Sequence, residues 1–343
     1  MKVLVTGATG FIGSHLVDRL LSLGHQVRGL ARNPAKAGQL VAVGAEPAIG
    51  DVTDPVSLRA AVRGMETVFH VAARVTDWGR WSEFESVTVN GTEHMLNAAA
   101  EAGVARFLHV STAAVYEDRF ARKLRVITED APHSGAGDRA YGHYAKSKVM
   151  AEEAAWRFHR EGAFAVSMIR PAWVYGPRDA TILPRLIEHL ESPWACWIGG
   201  RDPVVDPIYV TDVVDCAVAA ATDEKAIGQA YNVAPDREIR LHEFLGAMCD
   251  AMDIPIPRFS IPYAVAAPLT AVVEGLSKLI RTKEAPPLTK AALASFTVDQ
   301  HYDPTKALRG LGWRQQVSLA DGARMTAAWM KSQRQSETAR CAA

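Results

Sequence analysis

Over the first 170 or so positions, apolar residues fall into two alternating patterns: short unbroken runs, and longer stretches where they recur every three or four residues. Lys2-Val3-Leu4-Val5-Thr6 is a run of the first kind and predicts a strand buried on both faces. Ile12, Leu16, Leu20 and Leu23 then share one stripe, which predicts a helix from Phe11 to Leu23 with Gly24 as its C-terminal cap. Gln26 to Ala31 reads as the second strand, and further strands are expected near Ala48-Ile49, Thr67 to Ala72, Arg106 to Val110 and Phe164 to Ile169. Helical runs separate them at Pro55 to Arg63, Phe84 to Ala102 and Tyr144 to Arg160. Strand and helix alternating in this way predict an α/β fold, a doubly wound parallel sheet covered on both faces.

After Arg170-Pro171 the rhythm degrades. Prolines and the tryptophans Trp173, Trp194 and Trp197 appear, and Ala230 to Ala234 is the clear remaining strand. The expected organisation is a dinucleotide-binding domain over 1–171 with about 205–234 added. A smaller C-terminal substrate-binding lobe, 172–204 and 235–331, closes over the carboxyl edge of the sheet. Arg119 to Arg139 reads as a loosely ordered loop and 332–343 as a flexible tail.

The first turn is Thr6-Gly7-Ala8-Thr9-Gly10-Phe11-Ile12-Gly13, three glycines between the first strand and the first helix. Glycines let the backbone approach a pyrophosphate, and the helix start offers unpaired N–H groups and the positive end of its dipole. This is the context of a Rossmann-type dinucleotide site. The end of the second strand selects the dinucleotide. A carboxylate there would accept from the adenosine ribose, but this chain has Arg32, which suits a 2′-phosphate. NADP(H) is therefore preferred, with NAD(H) as the alternative. Asp51, after the third strand, is placed either to accept from the adenine amino group or to cap the helix at Pro55, for which Thr53 and Asp54 stand better.

Composition narrows the classes. Thirty-eight basic and thirty-eight acidic residues give a formal charge of zero, so nothing global points to nucleic acid. Four scattered cysteines have neither metal nor disulfide spacing, and no metal site is expected. The chain opens directly on a strand, so no leader and a cytoplasmic setting are expected. The apolar stretch Ile261 to Val273 is interrupted by Pro262 and Pro268 and falls short of the ~20 residues a spanning helix needs.

Tyr144 and Lys148 lie four residues apart and so on one helix face, where a phenol and an ammonium address one point. A nearby cation favours the phenolate, so Lys148 is expected to draw the Tyr144 pKa down towards neutrality. Lys146, two residues away, faces elsewhere. With the glycine turn, Gly50-Asp51-Val52, His70-Val71-Ala72-Ala73, Arg170 to Pro177 and Asp206 to Asp212, the chain resembles the extended short-chain dehydrogenases/reductases over nearly its whole length.

That resemblance implies an NAD(P)-dependent oxidoreductase acting on CH–OH and C=O groups. Tyr144 and Lys148 fall on the family's tyrosine and lysine. Its active-site hydroxyl falls on Thr112, with Ser111 beside it; the plain alternative for both is a helix cap. The implied cofactor contacts are Gly7, Thr9, Gly10, Phe11, Ile12, Gly13, Arg32, Asp51, Val52, Ala72, Ala73, Tyr144, Lys148, Pro171 and Val174. Within the family, Val205 stands where sugar-nucleotide enzymes carry a diphosphate-binding arginine, although Arg178 or Arg201 could substitute. Arg74 to Gly79, Ala285 to Thr289 and Tyr302 to Leu308 resemble 3β-hydroxysteroid dehydrogenases and 2-alkyl-3-oxoalkanoate reductases. The expected substrate is accordingly a small hydrophobic ketone or alcohol. Residues 261–280 are expected to form a hydrophobic cover, a peripheral membrane contact, core or a subunit contact. Pairing through the helices near Phe84 to Ala102 and Tyr144 to Arg160 predicts a homodimer, with Val149, Ala154, Ala155 and Phe158 serving that contact or the sheet face. The alternatives are a nucleotide-sugar epimerase/dehydratase and, from another class, a non-catalytic NADP-sensing protein.

Overall fold

The computed structural model describes residues 1–116, 126–133, 142–200, 202–280, 282, 284–286 and 288–342. Seven strands form its centre: β1 (Lys2–Thr6), β2 (Gln26–Ala31), β3 (Glu46–Ile49), β4 (Thr67–His70), β5 (Arg106–Val110), β6 (Ala165–Pro171) and β7 (Ala230–Val233). Their spatial order is β3-β2-β1-β4-β5-β6-β7, and every pairing is parallel. The order reverses between β1 and β4, which opens a crevice at the carboxyl ends of those strands. This is the Rossmann-type α/β fold.

The unbroken apolar runs are explained by helices on both faces. Val3 and Val5 pack with Leu16, Val17 and Leu20 of α1 (Phe11–Ser22) and with Val213, Val214 and Ala217 of the helix Val210–Thr222. Burying each of the three large α1 side chains contributes about 1.5–3 kcal/mol. Leu4 faces the other way, towards α3 (Pro55–Val62), α5 (Gly91–Glu101) and α6 (Gly142–Arg160). Val149, Ala154, Ala155 and Phe158 of α6 are all buried within the chain. They serve the sheet side of the helix, so a pairing contact would need its other side.

Three local differences from the expected elements have physical causes. β4 stops at His70 rather than Ala72, because the amides of Val71 and Ala72 donate to Thr6 Oγ1 at 3.1 and 3.2 Å instead of extending the ladder. The single helix expected over Phe84 to Ala102 is a composite: α4 (Trp81–Phe84), a π-helical turn (Glu85–Asn90) and α5. A further helix, α2 (Pro34–Ala42), was not expected. Asn33 caps it by accepting from the Lys36 amide at 3.0 Å, and Pro34 occupies its first turn.

Beyond Pro171 there is more regular structure than the degraded rhythm implied. Trp173–Tyr175 pairs in parallel with Pro207–Tyr209. Leu183, Leu186 and Ile187 pack with Phe244, Leu245 and Met248 and with Ala323 and Ala327 in an apolar cluster of their own. The residues after Lys331, read from sequence as a tail, continue the helix Leu319–Ala342, and Arg334 reaches both oxygens of Glu191 at 2.6 and 2.9 Å. Most of the Arg119 to Arg139 loop lies outside the described residues. Its described part bonds firmly: the Ile127 amide donates to the His301 carbonyl at 2.7 Å.

Candidate active site

The glycine turn sits at the crevice. Gly7 has φ +65°, and a Cβ there would stand 3.0 Å from the Ala72 nitrogen, so only glycine lets β1 and the end of β4 meet this closely. A Cβ on Gly13 would stand 2.1 Å from the Gly7 carbonyl oxygen. Gly10 is the N-cap of α1 in an extended conformation with no side-chain cap. The first-turn amides, including those of Phe11, Ile12 and Gly13, therefore have no side-chain acceptor, which is how a pyrophosphate cradle is built. Thr9, Phe11 and Ile12 are half-buried around it, Ala72 and Ala73 lie half-buried on the facing side, and Val52 is buried.

Arg32 is exposed at the end of β2, just before the α2 cap, and has no hydrogen-bond or ion-pair partner among the described residues. It is free to take a phosphate. Asp51 accepts from both the amide and the hydroxyl of Thr53 at 2.9 Å, while Asp54 caps α3 by accepting from the Val56 amide at 3.0 Å. Capping thus falls to Asp54. Pro171 is buried at the end of β6 and Val174 is half-buried next to it.

Across the crevice, Thr112 follows β5 and caps the turn that comes after it. Its Oγ1 accepts from the Ala114 amide at 3.2 Å, capping a short 3-10 turn, and its hydroxyl is close enough to the Tyr144 phenol to draw that group's pKa down. Ser111 Oγ is buried with no hydrogen-bond partner among the described residues. Tyr144 and Lys148 share the inward side of α6 as the spacing required. Lys146 lies elsewhere, its ammonium 4.2 Å from the centre of the Trp81 ring.

The electrostatics differ from expectation. Lys148 is buried, and its Nζ donates to the Val110 carbonyl at 2.7 Å and contacts His109 Nε2 at 3.3 Å. Burial pushes its own pKa down to about 8. Burial also pushes the Tyr144 phenol up, and the opposing influence is the Thr112 hydroxyl rather than Lys148. The reason is geometric: the ammonium is turned into the edge of β5. With its pKa raised, Tyr144 carries its proton at neutral pH and stands as a donor.

Two buried histidines lie behind Lys148; His109 was missed in the sequence, and His70 was read there only as part of the His70-Val71-Ala72-Ala73 motif. His70 and His109 sit opposite each other on β4 and β5 with rings 5.7 Å apart. Thr6 Oγ1 already accepts two amides, so its proton goes to His70 Nδ1 at 3.0 Å. The Thr92 hydroxyl donates to the Thr88 carbonyl at 2.6 Å and so accepts from His70 Nε2 at 3.0 Å. This network assigns His70 as the neutral Nε2–H tautomer. Burial first and the Lys148 charge second lower its pKa to about 3 and hold His109 well below its ordinary value. An ammonium can only donate, so His109 Nε2 accepts and its buried Nδ1 proton has no partner among the described residues. The available signal was a histidine near the carboxyl end of each of two otherwise apolar strands.

Among the described residues, no group of three His, Cys, Asp or Glu side chains is placed to hold a metal ion, and no helix is long and apolar enough to cross a membrane.

Residues 3–234 match the NAD dependent epimerase/dehydratase family. A 2-alkyl-3-oxoalkanoate reductase of Stenotrophomonas maltophilia is 28% identical over 333 residues, covering 94% of this chain and 98% of that one. A 3 beta-hydroxysteroid dehydrogenase/Delta 5-->4-isomerase of Mycobacterium tuberculosis is 31% identical over 331 residues, covering 91% of this chain and 85% of that one. Among solved structures, gox2253 has a TM-score of 0.79 at 25% identity, over 96% of this chain and 98% of that chain.

Proposed function

From the premise that the chain belongs to the NAD dependent epimerase/dehydratase family, among the extended short-chain dehydrogenases/reductases, and is an oxidoreductase acting on CH–OH and C=O groups, we propose that it reduces a ketone of a hydrophobic substrate with NADPH. The observation that carries this reading is the protonated phenol of Tyr144 beside the Thr112 hydroxyl at the carboxyl end of the sheet, with the Lys148 ammonium buried one helical turn behind it.

In this reading the glycine turn and Arg32 hold the dinucleotide, whose nicotinamide supplies the hydride when bound. Thr112 donates a hydrogen bond to the substrate oxygen and fixes it beside Tyr144. Tyr144 passes its proton to that oxygen as negative charge develops there. Lys148, whose ammonium is held at the Val110 carbonyl rather than at the phenol, serves the ribose hydroxyls of the dinucleotide. Proton transfer of this kind is worth about 10²–10⁴-fold, the rest coming from positioning and electrostatics. The buried Ser111 hydroxyl is a further donor at the same strand end.

Several features support a hydrophobic substrate over a sugar nucleotide. Val205 is buried in the apolar cluster beyond β6 and brings no cation of its own to a diphosphate. Arg178 is engaged by Asp18 at 2.7 Å, and Arg201 lies outside the described residues. The helix Tyr263–Leu279 exposes Val265, Leu269, Val272 and Leu276 along one side. Its continuation is tied to the loop after β4, where Trp78 Nε1 donates to the Thr282 carbonyl at 3.0 Å. In the proposed organisation this segment covers the substrate and meets a membrane surface peripherally, and the protein works in the cytoplasm as a homodimer.

The test is NADPH oxidation followed by absorbance with a 3-ketosteroid and with a long-chain 2-alkyl-3-oxo ester. Turnover with either is expected. No turnover with both, together with interconversion of an NDP-sugar without net redox change, would overturn the reading.

A further inference from the structure

One turn beyond Lys148, on the same inward side of α6, lies Glu152, fully buried. Its oxygens accept from Arg170 Nε at 3.0 Å and Arg170 Nη2 at 2.7 Å. The remaining guanidinium protons reach His133 Nε2 at 2.8 Å, the Tyr116 hydroxyl at 3.0 Å and the Glu129 carbonyl at 3.1 Å. All five donors of a buried arginine therefore have acceptors. The Tyr116 hydroxyl passes on to Asn232 Oδ1 at 2.5 Å. The carboxylate is thus fixed from β6, β7, the turn after β5 and the segment around His133.

Stability alone does not account for this arrangement, since a buried ion pair replaced by well-packed apolar residues is often neutral or better. Its location beside Lys148 does account for it. We propose that Glu152, clamped by Arg170, is the positioning residue for Lys148, supplying the counter-charge that keeps a buried ammonium at the carboxyl end of β5. This rests on the reading of Lys148 as the cation that serves the cofactor.

The surroundings leave that task to Glu152. Lys148 is faced by His109 from β5, by His70 from β4 and by Tyr144 from its own helix. Both histidines are held neutral and Tyr144 keeps its proton. Arg170, from β6, is spent on Glu152. Burial lowers the Lys148 pKa, and Glu152 is the group that opposes it. Clamping by Arg170 matters because a mobile carboxylate would relax away from the ammonium or take up a proton.

The experiment is the pH dependence of NADPH binding, read by fluorescence on the full chain, for wild type, Glu152→Gln, Glu152→Asp and Lys148→Met. Wild-type affinity is expected to fall as pH rises through the Lys148 pKa. In Glu152→Gln that fall should come at lower pH by about one unit, so that affinity at pH 7.5 drops by about threefold while affinity at pH 6 stays near wild type. Glu152→Asp should restore the wild-type profile. If Glu152→Gln does not fold, Glu152→Gln/Arg170→Gln removes the orphaned guanidinium and should show a shift in the same direction. An unmoved profile accompanied only by a lower Tm would overturn the proposal and leave a purely structural ion pair. If Lys148→Met binds NADPH with the wild-type profile, the reading of Lys148 fails instead.

Discussion

Replacing Lys148 with methionine should make the cofactor-free protein more stable at neutral pH while ending its turnover. A lysine whose pKa falls from 10.5 to about 8 on folding carries about 3 kcal/mol of unfavourable charge burial at pH 7. Methionine fills much of the same space without a charge. Against that gain stands the loss of the hydrogen bonds from Nζ to the Val110 carbonyl and to His109, about 1–2 kcal/mol. Glu152 keeps both its Arg170 bonds, so no charge is orphaned. The net expectation is about 1–2 kcal/mol in favour of the variant. The sign with pH follows from the direction of the shift. Between pH 8 and 10.5 the unfolded lysine keeps its proton while the folded one loses it, so wild-type stability rises across that window. The advantage of Lys148→Met should therefore shrink and then reverse, leaving only the lost hydrogen bonds. Urea unfolding of both proteins at pH 7 and pH 10.5 measures this directly. A variant less stable than wild type at pH 7, or a gap that does not narrow with rising pH, would refute the argument.

Gly13→Ala places a methyl 2.1 Å from the Gly7 carbonyl oxygen, so the turn must open. NADPH affinity should fall at least about tenfold by fluorescence titration, and retention of wild-type affinity would remove the glycine turn from the site. Arg32→Ala should weaken NADPH by about 10–100-fold, the worth of a charge-assisted bond, and NADH much less; equal losses would show that Arg32 does not meet the 2′-phosphate.

The parallel sheet was legible because β1, β4, β5 and β6 are buried on both faces and so read as unbroken apolar runs. α1 announced itself by a stripe of four leucines and isoleucines, and α2 was missed although Asn33-Pro34 is a plain helix start. The lobe beyond Pro171 resisted reading because its strands are short, as in Trp173–Tyr175 and Pro207–Tyr209, and owe their pairing to distant segments. The Tyr144–Lys148 spacing identified the right face of α6. It could not say where the ammonium points, and that direction decides which group sets the phenol pKa. Likewise Glu152 and Arg170, on separate elements, meet only in three dimensions. His70 and His109 look in sequence like two unrelated polar residues, and parallel register alone stacks them.

The central claim is that Tyr144 delivers the proton to a ketone oxygen. Its most direct test compares wild type with Tyr144→Phe, measuring NADPH binding by fluorescence and NADPH oxidation with a ketone that the wild type turns over. The account predicts near-wild-type binding and a turnover loss of at least about 10²-fold. A phenylalanine variant that still reduces the ketone at a comparable rate would contradict it.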